Sequence, residues 1–452
     1  MSIAAQREHV IPDNYTAADL LFCAPKNMKV EGNKVTLAGM DLLDIVDKFE
    51  TALYVYDEDH IRTQLRTFVD SFHKYYPESS VVYAAKAFCT VVMDKIVAEE
   101  GCGIDCASGG ELAMAKAASF PMDMVFMQGN NKSSKEIDEG LAAGVACYVV
   151  DTHEELERIN ELAAKRNMKQ RVILRICPGI EADTHSYIQT ANEDSKFGFN
   201  IRNGAAKTAT EFALSLENLE LTGYHCHIGS QIFELKSYEE AVKVIFKFMD
   251  SIREELGFVA KDLDMGGGLG IPYTVYDKPS SIEDFAKLLS EAVKDACEKF
   301  DYPAPHLYVE PGRSIVANAG ITLYTVGSVK EVPGICTYVA VDGGMTDNIR
   351  TALYGSKYEA FVVNHADKPR NTICDIVGKH CESGDVVVKN SALQECKAGD
   401  IICVLGTGAY CNEMASNYNK QIRPGIVMVC DGEARRIVRR ETYGDLLARD
   451  FY

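Results

Sequence analysis

Between residues 81 and 310, short apolar runs rich in β-branched residues alternate with stretches of helical period. The runs indicate buried strands, and apolar residues spaced three and four apart indicate helices that cover a sheet. In the helix that begins near Ser237, for example, Val242, Ile245, Phe246 and Met249 share one face. The pattern predicts eight strands, which begin near Val81, Gly103, Met124, Val145, Arg171, Leu219, Leu263 and His306.

Three of the predicted helices carry a start signal. In a capping box, Ser or Thr is followed three residues later by Glu, and the two side chains bind backbone N–H groups at the start of the helix. The pairs with this spacing are Thr152 with Glu155, Ser237 with Glu240, and Ser280 with Glu283.

Eight consecutive βα units favour an α/β fold in which the strands close into a (β/α)8 barrel of the TIM type. The segment from residue 81 to residue 310 is close to the ~250 residues that such a barrel usually takes. An open, doubly wound parallel sheet has the same alternation and is the alternative. We predict the barrel over residues 51–319.

The pattern changes on both sides of the predicted barrel. After Ala319, short strand-like runs alternate with Gly, Asp and Asn, and helical periods become rare. This predicts a C-terminal β-rich domain, a sandwich or a barrel-like fold, over residues 320–452. Residues 1–50 contain short candidate strands, which we expect to pack with that domain.

Composition and charge exclude several classes of partner. The 452 residues are 47% hydrophobic and 25% charged, as in folded globular proteins. The net charge of −19 disfavours nucleic acid and anionic membrane surfaces. The longest stretch without a charged residue, 314–329, is shorter than the ~20 residues of a membrane-spanning helix.

Cysteine usage indicates a reducing compartment. The 15 cysteines are odd in number, scattered, and form no CxxC pair. This is typical of reduced thiols rather than a disulfide framework, so we expect a cytoplasmic protein. The first 15 residues lack the unbroken apolar run of a secretion signal, which agrees with that expectation.

Polar residues close each of the eight predicted strands, where barrel enzymes carry their active sites. A lysine, a histidine pair and a glutamate at one mouth exceed what a structural barrel needs. In chain order the strand ends carry Lys86, Asp105 with Ser108, Gln128, Asp151, Arg175, His225 with His227, Asp264 before Gly266, Gly267 and Gly268, and Glu310 before Gly312, Arg313 and Ser314.

This set of strand ends predicts pyridoxal phosphate. The loops DMGGGLGIPY and VEPGRS follow strands seven and eight, the usual phosphate position in such barrels. Lys86 would form an imine with the cofactor, and Glu310 would keep its pyridine nitrogen protonated. His227 would lie against the face of the ring. Each residue also has a simpler interpretation. Lys86 could be a surface charge, Glu310 could form an ion pair with Arg313, and His227 could be a core histidine.

The chain resembles the diaminopimelate decarboxylase family, in the fold-type III group of pyridoxal phosphate enzymes with an alanine-racemase-like barrel. The resemblance runs from about Leu53 to Tyr418. It is carried, in the family's order, by VVYAAKA, GIDCASGGEL, SKFGFN, HCHIGSQI, DMGGGLGIPY, EPGRSIVANAG, VDGGMTDNIRTALY, GKHCESGDVV and GTGAYCNEMASNYN.

The resemblance implies the site residues and involves no metal. Lys86 and Cys381, the latter in the CES motif, would be catalytic, with Cys381 as the proton donor. The cofactor would contact Lys86, His227, Gly229, Ser230, Gly268, Glu310, Pro311, Gly312, Arg313 and Tyr410. The substrate would contact Arg313, Arg350, Tyr354, Glu382 and Tyr410.

The activity implied is decarboxylation of meso-2,6-diaminopimelate to L-lysine and carbon dioxide, the last step of lysine biosynthesis. The partners implied are this amino acid and a second copy of the chain, in a head-to-tail homodimer with shared active sites. The charges agree with such a substrate. Its distal amino-acid head needs a guanidinium and an acid, and Arg350 and Glu382 supply them.

Three other functions stay open on the residues alone. They are an amino-acid racemase, a decarboxylase of ornithine, arginine or carboxynorspermidine, and a non-catalytic regulator. A carboxylate at the pyridine nitrogen disfavours the racemase, and retention of Lys86 and Cys381 disfavours the regulator. The segment from Cys177 to Gly204 is long for a βα loop, as functional loops often are.

Overall fold

The structure is a computed structural model that describes residues 14–179 and 196–451. Its residues form two compact units. The barrel unit comprises residues 62–270 and 279–314, without the undescribed segment. The β-rich unit comprises the described residues up to 61, residues 271–278 and those from 315 onward.

The strands and helices of the described residues are numbered here in chain order. The strands are β1 (Met28–Glu31), β2 (Lys34–Leu37), β3 (Met40–Asp41), β4 (Leu53–Asp57), β5 (Ser79–Ala84), β6 (Gly103–Cys106), β7 (Val125–Met127), β8 (Cys147–Val150), β9 (Gln170–Cys177), β10 (Phe199–Asn200), β11 (Leu219–His225), β12 (Asp262–Asp264), β13 (His306–Val309), β14 (Gly320–Val332), β15 (Cys336–Val341), β16 (Ala360–Val362), β17 (Thr372–Val377), β18 (Val386–Leu393), β19 (Ile401–Val404), β20 (Gly425–Cys430) and β21 (Glu433–Val438). The helices are α1 (Leu42–Phe49), α2 (Glu58–Tyr75), α3 (Val91–Glu99), α4 (Gly109–Ala117), α5 (Ser134–Ala143), α6 (His153–Lys165), α7 (Ala205–Ser215), α8 (Lys236–Leu256), α9 (Ile282–Phe300), α10 (Arg313–Val316), α11 (Arg350–Tyr354) and α12 (Tyr443–Leu447).

The barrel unit is a closed ring of eight parallel strands. They follow the order β9-β11-β12-β13-β5-β6-β7-β8, and β8 pairs with β9, with Val150 opposite Leu174. This closure confirms the predicted (β/α)8 barrel and excludes the open sheet. Each observed strand starts within two residues of its predicted start, because buried strands leave a clear apolar run in the sequence.

The helix starts agree only in part with the predicted capping pairs. Thr152 caps α6 and accepts the N–H of Glu155 at 3.2 Å, as predicted. The prediction for α9 is wrong by one residue, because Ser281 caps the helix and accepts from Asp284. Ser237 lies inside α8 and caps nothing; its hydroxyl donates to the Glu234 carbonyl at 3.2 Å instead.

The β-rich unit contains a large mixed sheet in the order β18-β17-β15-β14-β4-β20-β21, with β19 between β14 and β16. The small sheet β1-β2-β3 and helix α1 belong to the same unit. Leu20, Leu42 and Ile45 from this N-terminal part share a core cluster with Ile321 and Val427.

Strand β4 lies in the range predicted for the barrel but belongs to the β-rich unit. It pairs with β14 in antiparallel and with β20 in parallel orientation. All five of its residues are buried, so the strand needs neighbours on both edges and cover on both faces. An all-apolar run marks a central strand but does not say which sheet contains it.

Two further expectations from the sequence concern the long segment after β9 and membrane-spanning helices. Most of the long segment from Cys177 to Gly204 lies outside the described residues, which resume at residue 196 and form β10 against β9. Over the described ranges, the helices all fall short of the combined length and apolar character that a bilayer crossing requires.

A buried ion pair joins the loop after β7 to the first turn of α6 in the barrel unit. The Lys132 ammonium lies 2.5 Å from Glu155 Oε1 and also donates to the carbonyls of Gly129 and Val149. The two side chains are 3% and 1% exposed. Because the ammonium has three donors and uses all three, the pair is fully satisfied as long as both residues are present.

We expect Lys132→Met to lower the free energy of unfolding by about 3–5 kcal/mol, because it leaves the Glu155 carboxylate buried without its partner. Adding Glu155→Gln should restore most of the loss, since the charge is then removed and an acceptor for the Asp151 N–H is kept. Urea unfolding followed by circular dichroism measures both.

Lys135→Met is the matched control, because Lys135 is 84% exposed and its ion pair with Glu139 has a 3.8 Å separation. We expect a change of less than about 0.5 kcal/mol there. An equally small effect at Lys132 would contradict the importance of the buried pair.

Candidate functional site

Lys86 lies directly after β5, in the short turn Ala85–Ala87 at the C-terminal end of the barrel. Its side chain is exposed, whereas Ala85 and Ala87 are buried. The turn packs against the segment after β13: the Ala84 N–H donates to the Pro311 carbonyl at 3.1 Å. The ammonium of Lys86 is close enough to influence the pKa values of Asp105 and Glu310. The predicted amine and carboxylate therefore share one mouth of the barrel.

Glu310, at the end of β13, is buried and accepts two hydrogen bonds. Gln128 Nε2 donates to Oε1 at 2.5 Å, and His225 Nε2 lies 3.0 Å from Oε2. Burial favours the neutral acid, but the contact with His225 and the nearby ammonium of Lys86 outweigh it and lower the pKa of Glu310. Glu310 is thus held as a carboxylate and not paired with Arg313.

Two further acids, Asp105 in β6 and Asp264 at the end of β12, lie in the same unit. Asp105 and Asp264 are buried, and burial together with the charge of Glu310 raises the pKa of each well above its usual range. His225, Asp264 and Glu310 place one potential metal-ligand atom each within 4.8 Å of the other two. Three acidic groups therefore lie together at this mouth, and of the three only Glu310 has a lowered pKa.

His227 is half-buried, and its ring position is fixed by the backbone. The Gly267 N–H donates to His227 Nδ1 at 3.2 Å, so a neutral ring carries its proton on Nε2. Burial lowers the pKa of His227 well below its usual value, and the charges of Lys86 and Arg175 lower it further. A neutral imidazole in a fixed orientation suits the predicted contact with an aromatic ring.

The glycine-rich loop after β12 approaches other backbone segments too closely for side chains. A Cβ at Gly267 would lie 2.1 Å from the Glu310 carbonyl oxygen, and one at Gly268 would lie 2.4 Å from the Gly229 carbonyl oxygen. Gly266 and Gly268 have φ of +64° and +115°. The loop is therefore a bare backbone surface next to Gly229 and Glu310, as anion sites require.

Arg313 and Ser230 lie together beside this loop. Arg313 Nη2 donates to Ser230 Oγ at 2.8 Å. A Cβ at Gly312 would lie 3.0 Å from Ala87 Cβ, so the Arg313 segment packs on the turn that carries Lys86. A guanidinium, a hydroxyl and bare backbone are common phosphate ligands, and Lys86 and Glu310 complete a donor set that fits pyridoxal phosphate.

In the β-rich unit, Arg350 starts α11 and is only 7% exposed. Its Nε donates to the Tyr358 hydroxyl at 2.9 Å, and Nη2 lies 3.4 Å from Ser356 Oγ. Burial alone would lower the pKa of Arg350. The nearby hydroxyl and thiol groups outweigh that effect, so the pKa is raised above its usual value. Arg350 is thus a buried cation and not the surface ion-pair residue that its type alone would suggest.

Three more tyrosines surround the guanidinium of Arg350. Its carbon lies 5.3 Å from the ring centre of Tyr410, 5.4 Å from that of Tyr354 and 6.0 Å from that of Tyr273. Aromatic faces stabilise a desolvated cation and hold its plane in a fixed direction. This tyrosine cage includes both tyrosines that the family resemblance selects.

Cys381 and Glu382 lie in the loop between β17 and β18, and both are exposed. The backbone of this CES loop is nevertheless anchored. The His380 N–H donates to buried Asp385 Oδ2 at 2.8 Å, and the Cys381 N–H donates to Asn419 Oδ1 at 3.2 Å. The loop therefore presents two exposed functional groups from a supported backbone.

Several contact residues have no role in the sequence-based site. Gln128, His225 and Asp264 are visible as polar strand ends, but the sequence does not show that they surround Glu310. Tyr358 and Tyr273 carry no local signal, because they reach Arg350 only through the fold.

Comparisons with known proteins agree with this geometry. A family model described as the pyridoxal binding domain of pyridoxal-dependent decarboxylase matches residues 58–317. The chain is 45% identical over 414 residues to a diaminopimelate decarboxylase of Bacillus subtilis (strain 168), covering 92% of this chain and 94% of that protein.

Solved structures of similar proteins share the fold over most of the chain. A diaminopimelate decarboxylase from M. jannaschii in complex with L-lysine has a TM-score of 0.88 at 33% identity, covering 94% of this chain and 98% of that one. The Helicobacter pylori enzyme, also with L-lysine, has a TM-score of 0.82 at 30% identity, covering 90% and 98%.

We expect Gly267→Ala to weaken cofactor binding and to lower turnover by about a hundredfold, because the new methyl group overlaps the Glu310 carbonyl and must displace the loop or β13. Absorbance titration with pyridoxal phosphate measures the affinity. Gly327→Ala is the control, since its Cβ would have ordinary contact at 3.8 Å. Equal behaviour of the two variants would contradict the tight approach at Gly267.

Proposed function

The chain belongs to the diaminopimelate decarboxylase family of pyridoxal-dependent decarboxylases, and on this premise we propose that it converts meso-2,6-diaminopimelate to L-lysine and carbon dioxide. The reaction is the last step of lysine biosynthesis. The observation that carries the proposal is the position of Lys86 and of buried, ionised Glu310 at the same mouth of a closed barrel.

The barrel unit supplies the proposed cofactor site. Lys86 would bind the aldehyde carbon, Glu310 would face the pyridine nitrogen, and His227 would lie against the ring. The phosphate would be bound by the backbone and side chains of Gly229, Ser230, Gly268 and residues 311–313, and Tyr410 would be a further contact. When bound, pyridoxal phosphate forms imines with amines and withdraws electrons from the bond that is lost as carbon dioxide.

The protein's own groups control charge at that site. Glu310 stays ionised because Gln128 and His225 solvate it, so a pyridinium N–H has a carboxylate partner. Lys86 would hold the cofactor through its amine, and because its side chain is exposed, that amine could take up or release a proton. Neutral His227 adds no positive charge beside the ring.

Arg350 and Glu382 are the proposed ligands of the substrate's distal amino-acid head. Tyr358 holds the Arg350 guanidinium by a hydrogen bond, and the tyrosine cage holds its plane, so its free edge is preorganised for a carboxylate. Arg313 and Tyr354 are further substrate contacts. The acid of Glu382 matches the distal ammonium. Substrates without a distal carboxylate gain nothing from Arg350.

Cys381 is the proposed proton donor to the carbon that loses carbon dioxide. A thiol is a suitable acid because it carries an S–H proton that it can give up to a carbanion and regain from solvent. Because Cys381 and Glu382 are exposed on an anchored loop, we propose that they act in the active site of a second copy, in a head-to-tail homodimer with shared sites.

We also propose a cytoplasmic location. All 15 cysteines are thiols rather than disulfides in the structure, and ten of them are buried. Buried free thiols in this number are typical of proteins from reducing compartments.

Lys86→Ala tests the proposal directly. We expect the purified variant to keep the parent's thermal stability, to lose the visible absorption of bound cofactor, and to release no lysine from meso-diaminopimelate. Lysine formation is followed by chromatography, with pyridoxal phosphate added. Lys287→Ala on α9 is the control, since Lys287 is an exposed lysine on the helix layer and should leave every readout unchanged.

Lysine production by Lys86→Ala at the parent's rate would refute the role of Lys86. A parent protein that binds cofactor but produces no lysine would refute the proposed substrate and leave the cofactor site intact.

Arg350→Lys tests the distal clamp. The charge is kept, but the second guanidinium edge and the bond from Nε to Tyr358 are lost, so we expect KM for diaminopimelate to rise by about tenfold or more with a smaller change in kcat. Steady-state kinetics measures both constants. An unchanged KM would contradict the assignment of Arg350.

A further inference from the structure

Three carboxyl groups are buried at the floor of the barrel mouth: Asp105, Asp264 and Glu310 are 2%, 0% and 6% exposed. Their hydrogen bonding is unequal. Glu310 receives donors on both oxygens, whereas Asp264 receives only the Gly266 N–H, on Oδ1 at 2.8 Å. Within the described parts of the chain, Asp264 Oδ2 has no hydrogen-bond partner.

The contact between His225 and Glu310 fixes where one proton lies. Buried His225 Nδ1 has no hydrogen-bond partner among the described residues, so it needs no proton there. Burial lowers the pKa of His225, which favours the neutral ring. A neutral ring with its proton on Nε2 donates to Glu310 Oε2, 3.0 Å away. His225 therefore solvates the Glu310 charge without adding a full positive charge.

Asp264 and Glu310 are too close to ionise together. Their nearest ligand atoms, with that of His225, lie within 4.8 Å of one another, and all three residues are buried. Two carboxylates at this distance in a poorly solvated site repel each other strongly, so one holds a proton. Glu310 has Gln128, His225 and the nearby Lys86 to stabilise its charge, whereas Asp264 has one backbone amide.

We propose that Asp264 is a positioning residue that acts as a neutral carboxylic acid, with its proton on Oδ2 directed toward Glu310 and with Oδ1 bound to the Gly266 amide. It joins the glycine-rich loop to the carboxylate that faces the cofactor nitrogen. One side chain thereby fixes the position of the glycine-rich loop, on the phosphate side of the proposed cofactor site, relative to Glu310 on the nitrogen side. The inference deepens the proposed function and rests on it only for the identity of the cofactor.

The neutral state of Asp264 matters for charge balance. A single carboxylate, Glu310, then faces a single pyridinium, and binding adds no uncompensated charge at the floor. An ionised Asp264 would need a second cation. Since His225, Asp264 and Glu310 have a metal-like arrangement, a bound divalent ion is the alternative source of that compensation.

The matched variants are Asp264→Asn and Glu310→Gln, which make the same change at the two acids. Asparagine reproduces a neutral Asp264, since it keeps an acceptor for Gly266 and places N–H donors toward Glu310. We expect its cofactor Kd to rise by less than about tenfold. Glutamine removes the one charge that pairs with the pyridinium, so we expect a rise of at least about thirtyfold.

Infrared spectroscopy of the purified full-length protein gives a readout that a structural role alone does not change. The parent spectrum minus that of Asp264→Asn should contain the C=O stretching band of a protonated carboxyl group, shifted in D2O. It should lack the carboxylate bands that removal of an ionised acid would leave. Asp264→Ala, which loses the Gly266 acceptor, should bind cofactor more weakly than Asp264→Asn.

Three results would overturn the inference: carboxylate bands in the difference spectrum, a loss of affinity in Asp264→Asn as large as in Glu310→Gln, or one equivalent of divalent metal in the purified protein that Asp264→Asn lacks. None of these readouts uses the substrate. A failure to decarboxylate diaminopimelate would therefore count against the proposed function and leave the protonation of Asp264 to be decided by the spectra.

Discussion

The structure depends on one buried negative charge, the carboxylate of Glu310. A carboxylate is costly to bury unless donors replace water, and here Gln128 and His225 take that place. The three residues end β7, β11 and β13, which are not consecutive in the ring. Only closure of the barrel brings these strand ends to one point, so the charge that a cofactor nitrogen requires is a product of the fold as a whole.

The buried charge of Glu310 restricts both the ionisation of the neighbouring acids and the packing of the neighbouring backbone. Asp105 and Asp264 cannot add their own full charges to the same poorly solvated floor, and the Gly267 backbone must approach Glu310 so closely that no side chain fits. The same glycine fixes the His227 ring through its N–H. Electrostatics and close packing thus act on the same few residues, and the site has little freedom to adopt another arrangement.

Much of this could be predicted from the sequence, for physical reasons that differ between elements. Buried parallel strands leave apolar runs, so the eight barrel strands and the polar residues that end them were visible. The sequence does not show that β4 pairs with β14 and β20, because an apolar run does not identify its neighbours. Two helix starts were misplaced for different reasons. At α9 both Ser280 and Ser281 have an acid three residues later, whereas α8 follows Leu235 and has no side-chain cap. The tyrosine cage of Arg350 was missed because its members, from Tyr273 to Tyr410, are separated by more than a hundred residues.

The proposed substrate-binding and catalytic residues of the β-rich unit differ in burial, and the difference agrees with the role proposed for each. Arg350 is buried and held from several sides, which suits a group that binds a fixed carboxylate and never changes its charge. Cys381 and Glu382 are exposed, although Asp385 and Asn419 anchor the backbone of their loop. An anchored loop limits the entropy lost when its side chains become ordered on binding, while exposure keeps those side chains accessible. This burial pattern is what the proposed homodimer requires, in which one chain would provide the barrel charge and its partner would provide the acid.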